Sequence, residues 1–205
     1  MSNPATLVAA AGLPASAADL AARARVIETA AGLFYARGIH AVGMDELRTA
    51  SGIPLKRLYR LFPSKDAIVE AVLLDWRREW SAGIGAAVDA AVEPRERLLA
   101  IYDFLAGWFA SEGFRGCAFI NSFGELGVTS GRVAEIAREQ KAGFQEFVVS
   151  LASEAGAPPG LAPQLAILAE GAISTAAISG TVEPARHARA AAEILISAAL
   201  PSQPL

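Results

Sequence analysis

The chain has one cysteine in 205 residues, Cys117, so no internal disulfide can form and a reducing compartment is its expected home. It has two histidines, His40 and His187, far apart and outside any Cys/His cluster, which argues against a zinc site. Neither histidine has a glutamate three residues before it, so the di-iron bundle pattern is absent. No G-x-S-x-G, no P-loop and no Cys/His dyad occurs either. These absences point away from an enzyme, and no cofactor or metal is expected. β-branched runs are few, and no segment reads as a convincing strand. The first eighteen residues are uncharged and Ala-rich, but they lack a basic leader and are interrupted by Pro4, Gly12 and Pro14. They read as a flexible arm over 1–16, not as a signal peptide. The uncharged run from Ala155 to Ala169 contains Pro and Gly and is too short to span a bilayer. A soluble, cytoplasmic protein with no membrane partner is expected.

What is present is alanine, helical periodicity and an uneven distribution of charge. The formal net charge is -3, yet Ala18–Asp66 carries eight Lys/Arg against five acids, and the remainder carries ten against sixteen. A basic N-terminal module on an acidic body suits phosphate contact by the first and ligand or partner work by the second. Leu20, Ala24, Ile27, Ala31 and Phe34 recur at helical spacing and predict a first helix over Ala17–Arg37, stopped by Gly38. A second covers Met44–Ser51, with Asp45 and Glu46 in its first turn, and a third covers Pro54–Leu61 beyond the turn at Gly52. Ser64 is an N-cap for a fourth helix reaching about Val92, and Pro94 opens a fifth that runs to about Ser111. Further helices are expected over Cys117–Leu126, after a break at Gly127–Gly131 to about Glu154, over Leu161–Ser179 and over Glu183–Leu200. The result is an all-α chain of about nine helices, with a three-helix N-terminal domain at 17–66 and a second domain at 67–205.

The stretch GIHAVGMDELRTASGIPLKRLYRLFPSK (38–65) has the form of a helix-turn-helix. At 100° per residue, Lys56, Tyr59 and Arg60 share one arc of the third helix, while Leu58 and Phe62 face the other way and Arg57 lies at the margin. Arg and Lys read guanine O6 and N7 in a major groove, Tyr59 and Lys65 suit phosphates, and Leu55 suits a thymine methyl. The bland alternative is an ordinary solvated helix face.

The residues AGLFYARG (31–38), MDEL (44–47), ASGI (50–53) and, most tellingly, LYRLFPSKDAI (58–68) resemble the N-terminal domain of the TetR family of transcriptional regulators. The resemblance implies that Leu55, Lys56, Arg57, Tyr59 and Arg60 lie on the recognition helix and that Lys65 contacts phosphate. Three positions depart from the family pattern. Gly43 and Pro54 stand where hydroxyl residues usually cap helices and meet phosphate. Arg48 stands where a small alanine is common, and its stem can reach the DNA backbone.

The resemblance also implies an effector pocket in the second domain and a homodimer through the last two helices. Trp76, Trp80, Tyr102, Trp108, Phe119, Phe123 and Phe144 supply aromatic bulk, either as pocket wall or as core. Asn121, in GCAFINSFGEL (116–126), is either a polar anchor for the effector or a side chain satisfying nearby backbone. Cys117 reads as a small buried hydrophobe, since only Arg115 is near it in sequence. The last two helices are rich in alanine, with Leu165, Leu168, Ile173, Ile194 and Leu195 adding apolar area that a four-helix dimer interface covers. The expected whole is a homodimeric repressor that reads a palindromic operator and releases it on binding a small effector. The rival readings are a helical enzyme or carrier, and an interaction protein that kept the fold without DNA binding.

Overall fold

The computed structural model describes residues 16–200, and the expected N-terminal arm lies outside the described residues apart from Ser16. Among the described residues the chain forms α1 (Ala17–Arg37), α2 (Met44–Ser51), α3 (Leu55–Leu61), α4 (Lys65–Asp89), α5 (Pro94–Phe109), α6 (Ala118–Leu126), α7 (Gly131–Glu154), α8 (Leu161–Ser179) and α9 (Glu183–Ala199), with no strand. Local chemistry sets the boundaries. The hydroxyls of Ser16, Ser64 and Ser130 accept from the N–H three residues on, which satisfies orphan donors at the starts of α1, α4 and α7. Gly52, at φ 67°, makes the left-handed turn between α2 and α3 that an L side chain resists.

Four boundaries differ slightly from the sequence reading. Pro54 caps α3 from outside, because its extended ψ of 141° is not helical. α4 stops at Asp89 instead of Val92, and Glu93 is extended at ψ 134°, as the residue before Pro94 prefers. α5 closes at Phe109 ahead of Gly113, whose φ is 79°. α6 starts at Ala118, with Cys117 as its cap.

α1 packs on α4 and also holds α2 and α3, and the module's core includes Val26, Ala30, Phe34, Leu47, Leu58, Phe62, Ile68 and Val72, all at most 3% exposed. α4 then continues without a break into the body, so the expected boundary at 66/67 falls inside one helix. In the body, α5 is the central element and touches α4, α7, α8 and α9. Tyr102 on α5 is fully buried and donates its hydroxyl to the Leu165 carbonyl at 2.8 Å. Burial pushes its phenol far above the ordinary tyrosine range, so it stays a neutral donor.

α8 is the one helix among the described residues that is long and apolar enough to cross a bilayer by length and composition. It packs against α5, α7 and α9. Leu165 and Ile173 point into that core at 1% and 2% exposure and lie away from the outer face to which the sequence reading assigned them. The open face instead carries Ile167, Gly171, Ser174 and Ile178 on α8, with His187, Ala190, Ile194 and Ala198 on α9.

Tyr102→Phe removes a buried hydrogen bond without opening a cavity. Its expected cost is about 1 kcal/mol of stability, read as a lower urea midpoint at unchanged slope.

Candidate nucleic-acid interface and adjoining cavity

The α3 face is built from the inside outward. Leu58 and Phe62 are buried against α1 and α2, and the Arg23 guanidinium lies over the Phe62 ring at 4.2 Å while donating to the Leu61 carbonyl. This fixes the rotation of α3 and leaves Lys56, Tyr59 and Arg60 exposed on one side, with Leu55 half-buried at the helix start. Gly43 and Pro54 provide no side-chain cap, which matches their departure from the hydroxyl pattern. Arg48 is exposed on α2 and pairs with Asp45 at 3.4 Å.

Besides Arg48, three of the expected contact residues, Arg57, Arg60 and Lys65, are engaged within the protein. Arg57 donates to Asp19 from Nε at 3.3 Å and from Nη2 at 2.9 Å, and also to the Ala18 carbonyl at 2.8 Å. Arg60 reaches the same carboxylate at 3.0 Å. The hydrogen bond from Arg57 does most to hold the Asp19 carboxyl below the usual carboxylate range, against partial desolvation and with help from Arg60. Lys65, at the start of α4, donates its ammonium to the Ile39 carbonyl at 2.6 Å.

That carbonyl belongs to the loop between α1 and α2, which α6 grips from the body. The Glu125 carboxylate accepts from the Ile39 N–H at 3.0 Å and the His40 N–H at 2.9 Å, while His40 Nε2 meets the Glu125 carbonyl at 3.2 Å. Gly38 permits this approach. Its φ is 86°, and a Cβ there would stand 3.1 Å from Glu125 Oε1. A second tie runs through Tyr35 on α1, whose hydroxyl donates to the Gly116 carbonyl at 2.8 Å and accepts from the Arg115 N–H at 2.9 Å.

Behind these ties lies a cavity of about 320 Å³ walled by α1, α4, α5, α6, α7 and α8. Of the expected ligand-binding residues it gathers Trp76, Trp80, Trp108 and Phe119. The structure takes four others out of it. Tyr102 faces α8 within the core, and Phe123 is 44% exposed on the outer side of α6. Phe144 backs Trp80 edge-on at 5.2 Å from behind the wall. Asn121 donates to the Arg115 carbonyl at 3.0 Å, which is the backbone-satisfying alternative.

Sequence reasoning missed Tyr35, Glu79, Gly83, Phe104, Gln140, Lys141 and Glu170, all of which line this cavity. Gly83 is bare because a Cβ would come within 3.0 Å of the Phe104 ring. Lys141 donates to both carboxylate oxygens of Glu170 at 2.7 Å and to Cys117 Sγ at 3.3 Å, so Cys117 has a cationic neighbour that its sequence surroundings did not reveal. The legible clue was Glu170, the only charged residue in α8.

Residues 26–72 match the family of bacterial regulatory proteins named after TetR. The chain is 36% identical over 87 residues to an uncharacterized HTH-type transcriptional regulator of Mycobacterium tuberculosis, covering 42% of this chain and 43% of that protein. It is 32% identical over 97 residues to the HTH-type transcriptional activator FasR of Mycolicibacterium smegmatis, covering 45% and 43% of the two chains. The matched stretch therefore spans less than half the length of either relative. The fold also resembles that of SCO4454, a TetR-family transcriptional regulator from Streptomyces coelicolor, with a TM-score of 0.82, 27% identity and coverage of 87% and 89%.

Glu125→Ala leaves two backbone N–H groups without their acceptor. It should cost about 1–2 kcal/mol, and hydrogen exchange should quicken locally at the amides of Ile39 and His40.

Proposed function

Because the chain belongs to the TetR family of bacterial regulatory proteins, we propose that it is a cytoplasmic transcriptional regulator, a homodimeric repressor that leaves a palindromic operator when a small molecule fills the cavity. The observation that carries this reading is the rotation of α3, which buries Leu58 and Phe62 and opens Lys56, Tyr59 and Arg60 together to solvent. In the reading, Lys56 and Arg60 contact base edges, Leu55 meets a thymine methyl, and Tyr59, Arg48 and Lys65 contact phosphates. Arg57, engaged by Asp19 and the Ala18 carbonyl, acts mainly by fixing the helix. Residues 17–66 carry the operator contacts, and residues 67–205 carry effector binding and dimerisation.

Dimerisation is supported by the open face of α8 and α9, where Ile167, Ile178 and Ile194 are 70%, 89% and 70% exposed. Such a surface is a liability on a monomer and a natural isologous interface between two copies. A dimer sets its two α3 helices in successive major grooves about 34–36 Å apart, or a multiple of that. Ligand responsiveness is supported by α6, whose Phe119 lines the cavity and whose Glu125 grips the loop beside Lys65. An effector that favours a different position of α6 shifts the spacing of the reading heads, by no more than its differential affinity for the two states.

The first test is selection of bound duplexes from a random pool at near-physiological salt, with an enriched palindrome expected. On that palindrome, Lys56→Ala with Arg60→Ala should lower affinity by about tenfold or more while the protein stays folded and dimeric. Unchanged affinity sinks the assignment of α3. Ile167→Lys with Ile194→Lys should convert the dimer to a folded monomer in light scattering, and a persisting dimer removes the α8/α9 interface.

A further inference from the structure

The cavity is lined by aromatic rings, by the carboxylates of Glu79 and Glu170 and by the Lys141 ammonium. Gln140 is 6% exposed, and its Oε1 is the one buried side-chain polar atom among the described residues that has no partner. That oxygen is closed off even from water, so it is not offered to a ligand in the cavity. Glu79, exposed at the rim, makes no hydrogen bond or ion pair with any described residue. The cavity's one cation, Lys141, is held by both oxygens of Glu170 at 2.7 Å. The lining therefore has a net negative charge, and an anion would have to displace Glu170 to use Lys141. Trp76, Trp80 and Trp108 add ring faces and edges, and aromatic faces attract cations most strongly where water is excluded.

From these observations we infer that the cavity takes a small organic cation, a protonated amine on an apolar or aromatic frame, with Glu79 opposing its charge and the tryptophan rings flanking it. This deepens the proposed function and rests on its reading of the cavity as the effector site. A volume of about 320 Å³ suits a compact ligand and sits at the lower end of small-molecule sites. Leaving Lys141 paired to Glu170 keeps the ligand from having to separate a half-buried ion pair.

All three tryptophans of the chain line this cavity, so intrinsic fluorescence reports on it directly. The test titrates the full chain at neutral pH with 2-phenylethylammonium, and with neutral 2-phenylethanol and anionic phenylacetate as probes of the same frame. The ammonium should bind about tenfold more tightly than the alcohol, and phenylacetate more weakly than either. Glu79→Gln should erase the preference for the ammonium and leave the alcohol unaffected. Absence of saturable ammonium binding, equal binding of ammonium and alcohol, or tighter binding of phenylacetate overturns the inference. Release of a labelled operator duplex is read on the same samples by anisotropy. Ammonium binding without release keeps the ligand class and removes the effector role. Release by the anion or the alcohol alone keeps the regulator and removes the ligand class.

Discussion

One unbroken helix, α4, is shared by both halves of the molecule, and the rest of the arrangement is built around it. Its 25 residues extend about 37 Å at 1.5 Å per residue. The same rod begins with Lys65 beside α3, buries Ile68, Val69, Val72 and Leu73 within the N-terminal module, and lines the cavity with Trp76 and Trp80. It ends with Ile84 and Val88 in the body. A hydrogen-bonded helix resists bending unless proline or a bulge interrupts it, and α4 contains no proline. Movement of its tryptophans and movement of its N-terminus are therefore mechanically linked.

A rod alone leaves the module free to pivot about its axis, and two further ties remove that freedom. Glu125 grips the loop between α1 and α2 through two backbone N–H groups, and Tyr35 ties the C-terminal half of α1 to the turn before α6. Both ties run to α6 or to the turn that precedes it, and both sit next to the cavity. Each consists of a few hydrogen bonds, which is the energy scale at which a ligand can compete. Coupling between sites is typically 1–3 kcal/mol, comparable to two or three such bonds. The module is thus held firmly enough to have a defined position and loosely enough for that position to be shifted.

The helices were legible in the sequence because their ends are local events: Ser64 as a cap, Gly52 as a turn, Pro94 as a start. The exposed arc of α3 was legible for the same reason, since Leu58 and Phe62 can be buried together in only one rotation. The cavity was much less legible. Its wall takes single residues from six helices, and which face of each helix points inward depends on crossing angles that no local pattern encodes. Tyr102 and Trp108 lie on the same helix and have the same aromatic character, yet only the second reaches the cavity. Lys141, Glu170 and Cys117 are distant in sequence and meet only because α6, α7 and α8 pack together. Tyr35 was assigned with its helix to the N-terminal module, although the far end of α1 lies against the body.

Asp19 is a further case of a long-range contact changing the meaning of a local motif. Read alone, the third helix has three cations, Lys56 and Arg60 on its outward arc and Arg57 at the margin. In the fold, one carboxylate on α1 takes Arg57 through two donors and Arg60 through one. The side chain of Arg57 is only 34% exposed, while that of Arg60 remains 65% exposed. The guanidinium has five donors, so Arg60 keeps most of its fork for another partner. Asp19 thus withdraws one arginine into the structure and holds the other at a fixed angle beside Lys56, which has no partner among the described residues. Of the two outward cations only Arg60 is thus held in place, and side-chain freedom it has lost before meeting a partner need not be lost on binding.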